Sequence, residues 1–106
     1  MSLRKENLPR ALQLGQKLVE RNPTNATYLD TYAWVLYVSR DYAKARQYLE
    51  KALADTANVS GTIIEHYGDV LYHLGQPDKA LEQWKQAKTK GGGSPDLDKK
   101  IASGKL

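Results

Sequence analysis

The chain has 106 residues, a length that suits one domain, with 41% hydrophobic and 26% charged residues. This composition is typical of a folded globular chain rather than a disordered one. The sequence contains no cysteine, which excludes disulfides, thiolate metal ligands and thiol nucleophiles. It has no long apolar run, so we expect no part of this segment to insert into a membrane.

The net charge of +4 raises the question of nucleic-acid binding. Residues 1–21 carry five positive and two negative side chains, and residues 85–106 carry six and two. Residues 22–84 carry five positive and eight negative side chains. A phosphate-binding surface needs its lysines and arginines gathered on one face. The basic excess instead lies at the two ends of the chain, so nucleic acid is not predicted as a partner.

Taken along the chain, small and apolar residues recur at a fixed period. One position is small in each repeat, at intervals of 34 and 35 residues: Ala11, Ala45 and Ala80. The position seven residues later recurs at the same intervals, as Leu18, Ala52 and Ala87. A further set of four recurs after 35 residues: Leu29, Tyr32, Ala33 and Leu36, then Ile64, Tyr67, Gly68 and Leu71. The spacing i, i+3, i+4, i+7 within this set is one face of an α-helix. The small member, Ala33 or Gly68, predicts a close approach by a neighbouring helix.

This periodicity and the turn residues predict helices at 8–21, 26–39, 42–56, 61–74, 77–89 and 95–103. Asn22-Pro23-Thr24-Asn25 is expected to end one helix and cap the next. The fourth helix has two candidate caps, a capping box of Thr62 with Glu65, or Ser60. The run Gly91-Gly92-Gly93 is predicted to be a flexible linker, and Ser94-Pro95 is expected to start the last helix.

The pattern resembles the tetratricopeptide repeat, whose consensus combines large apolar, aromatic and small residues with a closing proline. Leu29, Tyr32, Ala33, Leu36, Ala45, Leu49 and Ala52 match one repeat, and Ile64, Tyr67, Gly68, Leu71, Ala80, Trp84 and Ala87 match the next. Ala57 in place of the closing proline, an extra residue near Val59-Ser60, and Gly15 at a usually bulky site depart from the pattern. The resemblance implies an all-α fold, a right-handed superhelix of antiparallel helix hairpins with a C-terminal capping helix. The sequence of these repeats also resembles the C-terminal repeats of larger bacterial proteins of this family. Many of those proteins are exported or lipid-anchored, so the cellular compartment of this chain stays open.

This register divides a single domain, residues 1–106, into five parts. They are the second half of a truncated repeat at 8–25, repeats at 26–59 and 60–90, a linker at 91–94 and a capping helix at 95–104 that contains Leu97 and Ile101. Because the first helix lacks its partner, we expect the chain to be a fragment of a longer repeat protein. We further expect an exposed apolar strip on that helix (Leu8, Leu12, Gly15 and Val19) that favours a homodimer.

The resemblance also implies a ligand-binding surface, because the first helix of each pair lines the concave face of such a stack. The predicted site consists of Thr27, Asp30, Trp34, Tyr37 and Val38 with Glu65, Asp69, Tyr72 and His73, and Thr62 lies on the same face. Aromatic side chains and carboxylates in this arrangement suit a protein or peptide partner, including a basic one. Alternatively, the aromatic residues pack against the neighbouring hairpin and the acids are only solvated. The corresponding alternative function is a structural spacer that stacks on further repeats and has no ligand of its own.

Catalytic, cofactor and metal sites are not predicted. Glu65, Asp69 and His73 share a helical face, but two or three weak ligands without a second nearby histidine make a poor zinc site. His66 is interpreted as a structural residue beside the core stripe. The Gly91-Gly92-Gly93-Ser94 run has neither the preceding strand nor the Gly-Lys-Ser/Thr of a phosphate loop. The sequence therefore predicts a non-enzymatic protein that needs no cofactor.

Overall fold

Six α-helices make up the fold in the computed structural model, which describes residues 8–54, 59–91 and 93–105. They are α1 (Leu8–Arg21), α2 (Ala26–Val38), α3 (Tyr42–Ala54), α4 (Gly61–His73), α5 (Pro77–Thr89) and α6 (Leu97–Ser103). These described ranges contain no β-strand. None of the six helices has the length and the apolar composition needed to cross a bilayer.

The observed helix bounds agree closely with the predicted ones. The first five helices begin at the predicted residue, and every observed end lies within two residues of the predicted end. The predicted end of the third helix, residue 56, falls in 55–58, outside the described residues. The last helix begins at Leu97 rather than Pro95, because a turn precedes it in which the Leu97 N–H donates to the Ser94 carbonyl at 3.1 Å.

The helix caps settle a choice that the sequence left open. The Asn25 side chain accepts a hydrogen bond from the Tyr28 N–H at 3.1 Å and so caps α2 as predicted. At α4 the Ser60 hydroxyl accepts from the Ile63 N–H at 3.3 Å, so Ser60 is the cap and the Thr62–Glu65 capping box is wrong. The reason is that the Glu65 carboxylate is engaged elsewhere, by Ser94 and Lys100.

Paired helices bury the small-residue ladders. α2 packs against α3 and α4 against α5, while α1 lies on α2 and α6 lies on α5. Ala33, Ala45, Ala52, Ala80 and Ala87 are all fully buried at these contacts. One hydrophobic cluster spans α1 to α4, and a second, centred on Trp84, joins α4, α5 and α6. The helical stack predicted from the periodicity is therefore confirmed.

The exposed face of α1 differs from the predicted one. Gly15 and Val19 are buried against α2, where a Cβ atom on Gly15 would lie 2.7 Å from Cδ1 of Tyr32. Leu12 also packs against the core, and the Leu8 side chain lies outside the described structure. The exposed leucines are instead Leu14 (54%) and Leu18 (40%). The predicted strip was wrong because Gly15 makes room for the Tyr32 ring, so this side of α1 packs against α2.

Candidate functional site

A groove runs between α2 and α4, and we call it the concave groove. Its walls are Asp30, Trp34 and Tyr37 on α2 and Thr62, Glu65, His66, Asp69 and His73 on α4. It contains two adjoining cavities of about 270 Å³ and about 310 Å³. Trp34, Thr62 and His66 line both cavities, so the Trp34 indole stands at the centre of the groove.

Trp34 is held in place by rings on both helices. Its indole stacks on the His66 imidazole at a centroid distance of 4.2 Å and on the Tyr37 ring at 4.7 Å. Nδ1 of His66 donates to Oδ1 of Asp30 at 2.8 Å, which fixes the imidazole against the indole. The indole remains only half-buried, so a rigid aromatic surface with a polar rim faces the groove.

A second group of rings continues the groove towards the C-terminal ends of α2 and α4. The exposed His73 imidazole lies parallel to the Tyr42 ring at 4.6 Å, and Tyr37 meets both rings edge-on at 5.3 Å and 5.6 Å. Burial raises the pKa of the Tyr37 hydroxyl, and the nearby Asp69 carboxylate and Tyr42 raise it further. Tyr37 is therefore a neutral hydroxyl at any physiological pH, able to donate or accept a hydrogen bond.

The other end of the groove is closed by the chain itself. Nζ of Lys100, on α6, lies 2.6 Å from Oε2 of Glu65 and 3.1 Å from both carboxylate oxygens of Asp69. The Ser94 N–H and hydroxyl each donate to Glu65 at 2.6 Å. The Trp84 indole N–H donates to Oδ1 of Asp69 at 3.0 Å from the core side. The two acids are thus buried and hydrogen-bonded rather than solvated.

Lys100 compensates these two acids unequally. Burial alone would raise the pKa of Glu65, but hydrogen bonds from Lys100 and Ser94 outweigh it and hold that pKa below its usual 4.5. Burial dominates at Asp69 and raises its pKa above the usual 3.8, although Lys100 and Trp84 oppose the change. Burial disfavours the charge on Lys100, yet its hydrogen bond to Glu65 and the Asp69 charge raise the pKa of its ammonium. Lys100 is accordingly a fully protonated cation at neutral pH.

The structure brings some of the predicted site residues together and separates others. Asp30, Trp34, Tyr37 and His73 form the open part of the groove. Tyr72 packs with the second hydrophobic cluster, 6.1 Å from the Trp84 ring centroid. Thr27 lines a separate polar cavity at the α1–α2 turn, and Val38 is half-buried at the end of α2. Residues at the groove that were not predicted as members of the site include Tyr42, His66, Ser94 and Lys100.

Two of the missed residues leave a signal in the sequence. Lys100 lies three residues after Leu97 and one before Ile101, on the face by which α6 attaches to the core. A lone cation on an otherwise apolar helix face indicates a buried anionic partner. His66 aligns with Thr31 when the repeats are shifted by 35 residues, and it directly follows Glu65, one of the predicted concave positions. Tyr42 and Ser94 lie outside the groove-lining helices, and the repeat register gives no signal for them.

The side chains of the groove hold one another in fixed orientations. The carboxylates, imidazoles and indoles described above hydrogen-bond or stack on one another, in pairs that fix their orientation. Among the described residues, no three histidine, aspartate or glutamate side chains converge so that they could hold a metal ion. Rigid aromatic faces beside oriented carboxylates suit non-covalent recognition of a peptide segment.

Comparison with known proteins agrees with the architecture. The family model described as tetratricopeptide repeat matches residues 2–95. The chain is 30% identical over 87 residues to tetratricopeptide repeat protein 21B of Xenopus laevis, a match that covers 80% of this chain and 7% of that protein. It is similar in fold to the crystal structure of a thermophilic TPR protein of Thermus thermophilus. The TM-score is 0.78 at 23% identity, over 97% of this chain and 54% of the other.

These matches extend over most of this chain but over a small part of the Xenopus relative and about half of the Thermus chain. Proteins with this repeat are generally non-catalytic scaffolds, and their repeat domains typically bind other proteins. The repeated ladder of small residues, the stacked helix hairpins and the family match all lead to one assignment. The chain belongs to the tetratricopeptide repeat family.

Proposed function

We propose that this chain is a non-enzymatic scaffold that binds a peptide or protein segment in its concave groove. The observation that supports this best is the position of Trp34, half-buried and fixed between His66 and Tyr37 at the junction of two cavities. An aromatic side chain held in one orientation offers contact area at little entropic cost, which is why such residues dominate binding energies. The groove residues of the proposal are Asp30, Trp34, Tyr37, His66 and His73.

The charge of the groove favours a partner with basic residues. The segment 22–84, which contains both groove helices, has three more acidic than basic side chains, and Lys100 from outside the segment compensates part of this excess at Glu65 and Asp69. Asp30 remains partly exposed, with 16% of its side chain accessible beside the indole. A cation of the partner can approach this carboxylate and the aromatic faces together, and both interactions are favourable.

The test is a selection of peptides from a random library on the natural chain, followed by affinity measurements on variants. Trp34→Ala should weaken the selected peptides at least about tenfold, the loss expected for a central aromatic contact. Tyr28→Ala is the matched control, a half-buried aromatic residue of the same helix that does not line the groove. Circular dichroism verifies that each variant is folded. Peptides that bind the two variants equally well would show that the groove is not the recognition surface.

A second function is favoured by the exposed leucines of α1. Leu14 and Leu18 lie on a face of α1 that is not packed against α2, and each exposes at least 40% of its surface. Such a face suits stacking on a further helix hairpin of a longer repeat protein, in which this segment serves as a spacer. An isolated chain should then form a homodimer through this face, measurable by sedimentation equilibrium. Leu14→Glu/Leu18→Glu should abolish the dimer, and a natural chain that stays monomeric at high concentration would argue against the stacking function.

A further inference from the structure

Helix α6 fills one end of the concave groove with a single side chain. The Lys100 ammonium and the Trp34 indole line the same cavity of about 270 Å³. The ammonium has three N–H donors, and three carboxylate oxygens lie within 3.1 Å of it, one from Glu65 and two from Asp69. We call this pair of acids the ammonium seat. Three oxygens around one point suit a lysine, whereas the planar, forked guanidinium of an arginine does not match this arrangement.

The ammonium seat is built into the core and requires a cation. The Trp84 indole N–H orients Asp69 from within the second hydrophobic cluster. Glu65 and Asp69 are only 2% and 3% exposed, so two carboxylates lie side by side away from water. Like charges in such a place disfavour each other strongly unless a cation compensates them. When Lys100 is displaced from the ammonium seat, another ammonium group is the ligand that best compensates the two negative charges.

Apart from the Lys100 contacts, little holds α6 in place. The helix has seven residues, far below the length at which an isolated helix is stable in water. Leu97 is its buried apolar side chain, and Ile101 is half-buried. The ion pair of Asp98 with Lys88 is highly exposed and adds little. Before the helix, Gly91 and Gly93 adopt positive φ angles of 81° and 104°, a conformation that glycine allows at low cost.

We propose that α6 is a tethered occupant of the concave groove, and that a partner segment with a lysine of its own enters by displacing α6 and placing that lysine between Glu65 and Asp69. The proposal rests on the proposed function, since it concerns the same groove, and it names the chemistry of the partner. Docked α6 lowers the apparent affinity for the partner, because only the fraction of molecules with an open seat can bind at that end. Trp34 forms the wall next to the seat and would contact the residues that flank the incoming lysine.

The experiment uses the full chain and three synthetic peptides. One peptide has the sequence of residues 94–106, and the others carry Lys100→Met or Lys99→Met. Lys99 is exposed on the same helix and makes no contact with the seat, so it is the matched control. In the protein, Leu97→Ala/Lys100→Met undocks α6, while Leu97→Ala/Lys99→Met keeps the competing lysine. Fluorescence anisotropy of the labelled peptides gives the affinities.

We expect the Leu97→Ala/Lys100→Met chain to bind the natural peptide at least about tenfold more tightly than the unmodified chain does, with Leu97→Ala/Lys99→Met in between. The Lys100→Met peptide should bind at least about tenfold more weakly than the natural and Lys99→Met peptides, because it lacks the ammonium group. Equal affinity for all three peptides, or binding of none, by a folded variant would overturn the proposal.

A measurement on the unmodified chain covers the case in which the double variants do not fold. An excess of the natural peptide should accelerate hydrogen exchange of the α6 amides, and the Lys100→Met peptide should not. Unchanged exchange in both cases would also overturn the proposal. The proposed function is tested separately at Trp34, so selected peptides that depend on Trp34 but leave α6 protected would refute the displacement and retain the groove.

Discussion

Gly68 and Trp84 are packed so closely that a Cβ atom on Gly68 would lie 2.6 Å from both Cδ1 and Nε1 of the indole. The same atom would lie 3.1 Å from the Ala80 carbonyl oxygen. The contact fixes α4 against α5, and it also orients the indole N–H that binds Asp69 at the base of the groove. The absence of a side chain at Gly68 therefore affects both the packing of α4 against α5 and the orientation of Asp69 in the candidate site.

The first prediction follows from this contact. In an open helix, a change from glycine to alanine stabilises by up to about 1 kcal/mol. Here Gly68→Ala should instead lower the free energy of unfolding by about 1–3 kcal/mol, since the new methyl group overlaps a fully buried ring. Urea denaturation measures the change. In a Trp84→Phe background the cost should be smaller, and an unchanged cost would show that the Trp84 ring is not its cause.

The two tryptophans should differ in their importance for stability. Trp84 is fully buried, so Trp84→Ala should cost about 3–5 kcal/mol. Trp34 is half-buried and stacked on two rings, so Trp34→Ala should cost less, about 1–3 kcal/mol for two aromatic pairs. Urea denaturation followed by circular dichroism compares the variants. If Trp34→Ala proved as destabilising as Trp84→Ala, Trp34 would be a core residue and the spacer function would gain support.

The cap of α4 gives a third prediction, with a matched control two residues away. Ser60→Ala removes the hydroxyl that accepts from the Ile63 N–H and should cost about 1 kcal/mol. Thr62→Ala should change stability by less than about 0.5 kcal/mol, since Thr62 is exposed and is not the cap. Thermal unfolding measures both. The reverse order of effects would restore the capping box in solution.

Much of the fold could be predicted from the sequence because its determinants are local. The spacing of Ala33, Ala45 and Ala52 indicates which helix faces pack together. Asn25 caps α2 through a hydrogen bond to a residue only three positions later. The exposed side of α1 could not be predicted, because it depends on how the Tyr32 ring uses the space above Gly15. That contact joins two helices through a side-chain orientation, which the periodicity does not contain.

The α2 side of the candidate site could be predicted from the sequence, but the contacts on its α4 side could not. The repeat register places Trp34, Tyr37 and Asp30 on the concave face, where the structure has them. It places Glu65 there too, but a helical position cannot reveal that Ser94 and Lys100 occupy its carboxylate. Those partners lie 29 and 35 residues further along the chain, outside the repeats.

The two seat carboxylates should respond to pH with opposite signs. The folded-state pKa of Glu65 is lowered below 4.5, so its stabilising contribution is complete above that pH and is lost as the pH falls through the folded pKa. The folded-state pKa of Asp69 is raised above 3.8, so its contribution favours folding below that pH and is lost as the pH rises through the folded pKa. Acidification therefore weakens the fold through Glu65 and strengthens it through Asp69.

The fourth prediction separates these contributions by urea denaturation between about pH 6 and pH 3, the range in which such carboxyls titrate. Glu65→Gln should make the loss of stability on acidification shallower than in the natural chain, because the group that loses its ionic contacts is gone. Asp69→Asn should make it steeper, because the compensating gain is gone. Asp98→Asn, at an exposed position of α6, should leave the slope unchanged. Parallel slopes in all four proteins would mean that Lys100 does not hold the two acids in solution as it does in the structure, and α6 would then leave the groove open.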